Sequence, residues 1–237
     1  MKLGIGVLPG GAPNTLAERI AHLREGLASA ARRAGRASDE IVLVGVTKKQ
    51  TREVVDEALA SGLVDIAENY VQEARAKLVG IAPARKHFIG HVQTNKAKAI
   101  VETFDVVQSI DRIDAGRAVV RAAQALGKPV RALVQINVSP TERFGIAPGD
   151  APELARQLRD EGLDVAGIMA IGPQTDDRAA IARAFGLAAQ TFAAVGGDTL
   201  SIGMSDDWEE AIASGSTMVR IGTALFGSRS RDGGNGR

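Results

Sequence analysis

The feature that most limits what this chain can fold into is an alternation. From Ile41 onward, short apolar runs rich in β-branched residues take turns with segments whose apolar residues recur every three or four positions. The runs are Ile41–Val46, Val64–Ile66, His87–Ile89, the stretch around Val106-Val107, Val130–Val138, Val165–Ala170, Thr199–Ile202 and Thr217–Ile221. Helical patterns separate them at 53–61, 71–79, 95–102, 114–126, 151–161, 178–194 and 208–214, with a short turn at 223–226. Gly62, Gly127, Gly162, Gly196 and Gly215 stand where helices should stop. Strand then helix, repeated, implies parallel strands joined by crossovers. Eight such units on about 190 residues predict an α/β fold, a single closed (β/α)8 TIM barrel. An open doubly wound sheet is the alternative, and the absence of a Gly-x-Gly-x-x-Gly turn after the first strand speaks against it.

An extra helix precedes the barrel. Thr15 and Glu18 have capping-box spacing, and Leu16, Ile20, Leu23 and Leu27 form one stripe on a helix reaching about Ala34. Residues 1–13 are expected to be a flexible lead, 14–229 one barrel domain, and 230–237 a polar, glycine-rich disordered tail. Composition narrows the function classes. A net charge of +1 and 3% aromatic residues give no nucleic-acid footprint and no basic membrane patch. With no cysteine, thiolate chemistry and disulfides are excluded. The first residues do not form a signal peptide, and no run is long enough to span a bilayer, so a cytoplasmic protein is expected.

In a barrel of this kind, function collects at the C-terminal ends of the strands. The first strand ends in Thr47-Lys48-Lys49. A lysine at the mouth of a sheet is partly desolvated, which frees its amine to attack a carbonyl. Lys48 is therefore a candidate to form an imine with an aldehyde cofactor; the plain alternative is a pair of solvated lysines ending a strand. Other strand-end residues are Glu68-Asn69, Ser109, Asp111, Asn137, Met169 and Ser201. Asn69, Ser109 and Asp111 could equally be helix caps. After the last strand, Gly222-Thr223 opens a helical turn whose free N–H groups make an anion nest, where barrels often hold phosphate. Ser201 could add a hydroxyl, and a simple strand-to-helix turn is the alternative. Arg220 lies inside an apolar strand, where it needs a partner. It either ion-pairs with an acid near Asp206-Asp207 or faces a pyridine nitrogen, which it would keep unprotonated. His87 and His91 are spaced for zinc on a helix, but Gly90 interrupts them, and walls of a pocket are the better reading than a metal site.

Taken together, several stretches resemble the pyridoxal phosphate homeostasis protein family, which shares the barrel of alanine racemase. They are Val44–Lys48, Glu68-Asn69-Tyr70-Val71-Gln72-Glu73, His87–Lys96, Gln135–Ser139, Phe144–Ile146, Gly167–Pro173, Leu200–Trp208 and Arg220–Thr223. The resemblance implies that Lys48, not Lys49, carries pyridoxal 5′-phosphate (PLP) as an internal aldimine. It implies that Ser201, Gly222 and Thr223 hold the phosphate, that Arg220 faces the pyridine nitrogen, and that Asn69 lies beside the cofactor. The implied function is intracellular PLP (vitamin B6) homeostasis by a monomeric carrier, without strong catalysis of its own, that serves PLP-dependent apo-enzymes. A PLP-dependent racemase or decarboxylase is the alternative, although Tyr70 is the only tyrosine and no clear second acid/base accompanies Lys48. A Schiff-base aldolase without cofactor is a third. The sequence departs from the family at Lys49-Gln50-Thr51, where Thr-Lys-Pro is usual.

Overall fold

The computed structural model describes residues 15–141 and 144–227. The expected lead at 1–13 and tail at 230–237 lie outside the described residues. Eight strands close into a barrel in chain order. They are β1 (Val42–Val46), β2 (Asp65–Glu68), β3 (Arg85–Phe88), β4 (Val106–Ile110), β5 (Arg131–Ile136), β6 (Asp164–Ala170), β7 (Thr199–Ser201) and β8 (Met218–Ile221). All neighbours run parallel, and β8 closes the ring on β1, with Val44 opposite Arg220 and Gly45 opposite Ile221. Helix α1 (Leu16–Arg33) precedes the barrel. The crossovers are α2 (Arg52–Ala60), α3 (Val71–Lys77), α4 (Ala97–Thr103), α5 (Ile113–Leu126), α6 (Ala151–Asp160), α7 (Arg178–Val195) and α8 (Trp208–Ala213), and α9 (Thr223–Phe226) follows β8. The expected (β/α)8 barrel is the fold.

The capping box forms as its spacing predicts: Glu18 N–H donates to Thr15 Oγ1 at 3.1 Å, and Thr15 N–H to Glu18 Oε2 at 3.0 Å. The buried stripe of α1 faces the barrel's outer layer, and Arg19 Nε donates to the Leu225 carbonyl, so this helix backs the short turn after β8. Two strands begin or end beyond their apolar runs. Val64–Ile66 becomes Asp65–Glu68, and His87–Ile89 becomes Arg85–Phe88. Polar residues enter both strands because they find partners across the ladder. Asp65 accepts from Arg85 Nε at 2.6 Å and Nη2 at 3.2 Å.

The main core lies between strands and helices, where Ile66, Val107, Val134, Ile168, Leu200 and Val219 share one cluster with Val55, Ile100, Val119, Leu158, Phe185 and Ile212. Fully burying one such side chain contributes about 1.5–3 kcal/mol. A core of this extent offsets a few polar groups at its centre. Inside the barrel the apolar layer is thin: Val44, Val46, Ala67 and Met218 form one small cluster, and Leu133, Ala166 and Met169 another. Residues two apart on a strand share a face. That parity carries the inward face of β1 from Val44 and Val46 to Lys48, of β2 from Ala67 to Asn69, and of β8 from Met218 to Arg220. Among the described residues no helix is long and apolar enough to cross a membrane.

Candidate functional site

A line of polar side chains crosses the barrel interior. Asp65 Oδ1 sits 2.8 Å from His87 Nε2, and His87 Nδ1 sits 2.8 Å from Gln108 Nε2. Ser201 Oγ donates to Gln108 Oε1 at 2.7 Å, and Arg220 Nη1 donates to Ser201 Oγ at 2.6 Å. With the Gln108 amide turned so that Nε2 faces His87 and also donates to Met218 Sδ at 3.2 Å, one assignment of hydrogens satisfies every link. A guanidinium can only donate and a carboxylate only accept. So Arg220 donates to Ser201, Ser201 to Gln108, Gln108 to His87, and His87 to Asp65. His87 is then neutral, with its proton on Nε2. Burial pushes its pKa below that of free imidazole, against the pull of Asp65. Burial opposes the Asp65 carboxylate too, but the bonds from His87 and Arg85 outweigh it and hold its pKa low.

Arg220 ends this line just below the barrel mouth. It is 4% exposed. Two more of its donors go to carbonyls, Nη1 to Ser201 O at 2.7 Å and Nη2 to Ala170 O at 2.9 Å. Burial pushes its pKa down to about 10, with the charge of Asp207 opposing. Among the described residues no carboxylate hydrogen-bonds to it; Asp207 Oδ1 is taken up by the Met204 N–H at 2.6 Å. The ion pair with Asp206 or Asp207 is therefore not how Arg220 is held.

Around the mouth above Arg220 stand the other candidates. Lys48 is exposed in the turn that leaves β1, the strand paired with β8. Gly222 precedes α9 and Thr223 begins it. The first N–H groups of a helical turn have no partner within it. Here the next one, on Ala224, is taken by Ser205 Oγ at 3.3 Å, which leaves the Gly222 and Thr223 amides at the opening. A Cβ on Gly222 would sit 3.6 Å from the Val46 Cβ, ordinary contact, so the fold itself does not demand glycine there. Ser201 stands apart from these two. Its hydroxyl is fully buried between Arg220 and Gln108, and its hydrogen is used. Asn69 is half-buried at the end of β2, with Oδ1 buried and without a hydrogen-bond partner. The chain passes so close that a Cβ on Gly90 would come within 2.0 Å of the Asn69 carbonyl.

The remaining expectations sort as follows. Asn69, Ser109 and Asp111 are not caps: Tyr70 and Arg112 precede α3 and α5 as N-cap residues, Ser109 Oγ donates to the Gly90 carbonyl, and Asp111 pairs with Arg112 at 3.0 Å. His87 and His91 part company, the first inside the barrel and the second stacked on Phe144 with ring centroids 4.4 Å apart. His91 also lines a cavity of about 190 Å³ with Asn69, Tyr70, Gln93 and Lys96, on the β2–β3 side; Lys48, Arg220, Gly222 and Thr223 do not line it. Sequence reasoning missed Asp65, Gln108 and Lys77, and saw Glu68 only as a strand-end residue. For Asp65 and Gln108 the available signal was a polar residue at an inward position of an otherwise apolar strand; Lys77 lies on α3 and offered none.

Residues 19–230 match the family described as alanine racemase, N-terminal domain. The pyridoxal phosphate homeostasis protein of Pseudomonas aeruginosa is 41% identical over 222 residues, covering 91% of this chain and 96% of that one. That of Escherichia coli strain K12 is 38% identical over 232 residues, covering 91% and 97%. The structure of PipY from Synechococcus elongatus with PLP bound superposes with a TM-score of 0.79 at 32% identity, covering 90% of this chain and all of that one. Alanine racemase from Clostridium difficile, at 14% identity and a TM-score of 0.66, shares the fold over 57% of its own length. An eight-stranded barrel, an amine and a buried guanidinium on its closing pair of strands, and identities of this size over nearly whole chains lead to one assignment: the chain belongs to the pyridoxal phosphate homeostasis protein family.

Proposed function

We propose that this protein binds PLP at the mouth of its barrel and acts in intracellular PLP homeostasis, as a carrier rather than an enzyme. The observation that carries the reading is the closing seam of the barrel. Lys48 stands in the turn that leaves β1, Arg220 lies buried on its partner β8, and Gly222-Thr223 opens the turn that follows. An amine, a fixed cation and an amide nest in that order suit an aldehyde, a pyridine nitrogen and a phosphate. The orphaned Asn69 Oδ1, at the end of β2 beside β1, is an acceptor that wants a donor.

When bound, PLP supplies an aldehyde that condenses reversibly with an amine and a ring that withdraws electrons as far as its nitrogen is protonated. Lys48 presents the amine, and Arg220 meets the ring nitrogen with a positive charge and so keeps a proton off it. Gly222 and Thr223 hold the phosphate with amides and a hydroxyl. Ser201 serves the cofactor through Arg220, whose direction its hydroxyl fixes, and Asn69 borders the ring. The carrier reading is supported by Arg220, because an unprotonated ring is a weak electron sink, and by the relatives' shared name. Receipt of the cofactor by apo-enzymes, a monomeric state and a cytoplasmic location belong to the same proposal.

The test is direct. The protein incubated with PLP should gain a visible absorbance band, and borohydride should fix the cofactor on the Lys48 peptide. Lys48→Ala should lose both. A colourless protein labelled only when a sugar phosphate is present would indicate an aldolase. Label on Lys49 would move the amine. Rapid racemisation or decarboxylation of an amino acid, lost in Lys48→Ala, would overturn the carrier reading.

A further inference from the structure

Of the stretch Glu68-Asn69-Tyr70-Val71-Gln72-Glu73, the cofactor site takes up only Asn69. Its two carboxylates, together with Lys77, surround the turn that bears Lys48. Thr47 to Gln50 closes as a β-turn, with Gln50 N–H donating to Thr47 O at 3.0 Å. Lys49, third in that turn, has φ 62° and is the one non-glycine residue among the described ones on the positive side. An L side chain adopts that conformation only where its surroundings over-determine it.

Here they do. Lys77 Nζ lies beneath the turn and donates to both of its ends, to Thr47 O at 2.8 Å and to Gln50 O at 3.1 Å. It also lies 2.7 Å from Glu68 Oε1 and 2.9 Å from Glu73 Oε1. Glu73 Oε1 takes the Lys49 N–H at 2.6 Å, and Glu68 Oε1 takes the Thr47 hydroxyl at 2.6 Å. The Lys77 side chain is 7% exposed and that of Glu68 is fully buried. Both ends and the middle of the turn therefore hang on one buried ammonium and its two carboxylates. A strand-end turn needs no such support, since water satisfies its carbonyls without charge burial. The second oxygen of Glu68 is left buried without a partner.

We infer that Lys77, Glu68 and Glu73 form a positioning socket for Lys48. The socket holds the turn in the conformation that directs the Lys48 amine over the barrel mouth. It thereby sets how fast and how firmly that nitrogen bonds to an aldehyde carbon, with loss of one water. The inference rests on the PLP reading above. None of the three residues touches the cofactor; each acts through the backbone on either side of Lys48.

The test uses two ligands. PLP reports the aldehyde contact together with the rest of the site, whereas pyridoxine 5′-phosphate, with an alcohol in place of the aldehyde, reports ring and phosphate alone. In Lys77→Met, borohydride trapping of PLP at Lys48 should slow by about tenfold or more, the scale of a misplaced reacting group. Pyridoxine 5′-phosphate should bind as it does to the parent. Glu73→Ala, at a more exposed position, should shift trapping in the same direction by less and covers the case in which Lys77→Met fails to fold. Equal weakening of both ligands, or unchanged trapping in folded variants, overturns the socket while leaving the PLP site in place. A parent protein that takes up neither ligand overturns the function, and the socket's role with it.

Discussion

Replacing Arg220 with methionine tests the site and the fold at once. The variant loses three donated hydrogen bonds, to Ser201 O, Ser201 Oγ and Ala170 O. Bonds from a charged donor are worth about 1.5–3 kcal/mol each, so the gross loss is roughly 4–9 kcal/mol. Against this stands the cost of keeping a cation in the core. Arg220 is pushed from 12.5 to about 10 by burial, which at ~1.36 kcal/mol per pH unit is about 3 kcal/mol against the charged form. Methionine fills much of the space without that cost. The difference leaves the variant less stable by roughly 1–6 kcal/mol, with about 3 kcal/mol the central expectation. With a urea slope of about 1–3 kcal/mol per molar, the central expectation lowers the unfolding midpoint by about 1–3 M. The folded fraction at low urea should still bind PLP, more weakly, with a changed visible band because the ring nitrogen has lost its facing cation. A variant as stable as the parent would show that the carbonyls and Ser201 do not depend on the guanidinium. An unchanged band and affinity would show that Arg220 does not face the ring.

Two further outcomes follow from the interior line and from the amide nest. His87 is held neutral, its pKa below the free value of 6.5. The unfolded chain therefore takes up the proton first, so the stability His87 contributes is complete above pH 6.5 and is lost as pH falls below it. Urea midpoints of the parent should decline from about pH 6.5 downward, and His87→Gln should flatten that slope; an equal slope in both would contradict the neutral assignment. Gly222→Ala should melt like the parent, because a Cβ there meets only ordinary contacts, yet lose PLP affinity together with Thr223→Ala. Retained affinity in both, measured by titration of the visible band, would remove the phosphate from that turn.

The barrel was legible because two periods alternate along the chain. Runs such as Val165–Ala170 and helices such as Arg178–Val195 differ in period, length and flanking glycines, and each signal is local. The strand ends were legible for the same reason, which is why Lys48, Arg220, Gly222 and Thr223 could be placed on one seam once β8 followed β7. What a local signal does not carry is the partner of a buried polar atom. Ser201 looked like a free hydroxyl at a strand end. Its use is decided by Gln108, ninety-three positions away. Arg220 looked as though it needed an acid nearby in sequence, and it is held instead by carbonyls of β6 and β7. Lys77 carries no signal of its own within the helical pattern at 71–79. Its burial under the Thr47–Gln50 turn depends on how α3 docks beside β1, which no spacing within α3 encodes.

The interior line also bears on why this barrel would carry a cofactor rather than use it. A guanidinium pushed down to about 10 is still protonated at neutral pH. It cannot hand a proton to a ring nitrogen and take it back during turnover, as a carboxylic acid in that place could. Behind it, every hydrogen in the line already has its direction, from Arg220 through Ser201, Gln108 and His87 to Asp65. Turning Ser201 to donate elsewhere would leave Gln108 Oε1 without its donor inside the barrel, where an unpaired polar atom costs about 1–3 kcal/mol. The charge that Arg220 would turn to the ring is thus fixed in sign by its chemistry and in direction by four side chains behind it. On the proposed reading, a site so arranged would bind the ring in one protonation state, which suits storage and delivery of PLP better than stabilising a carbanion.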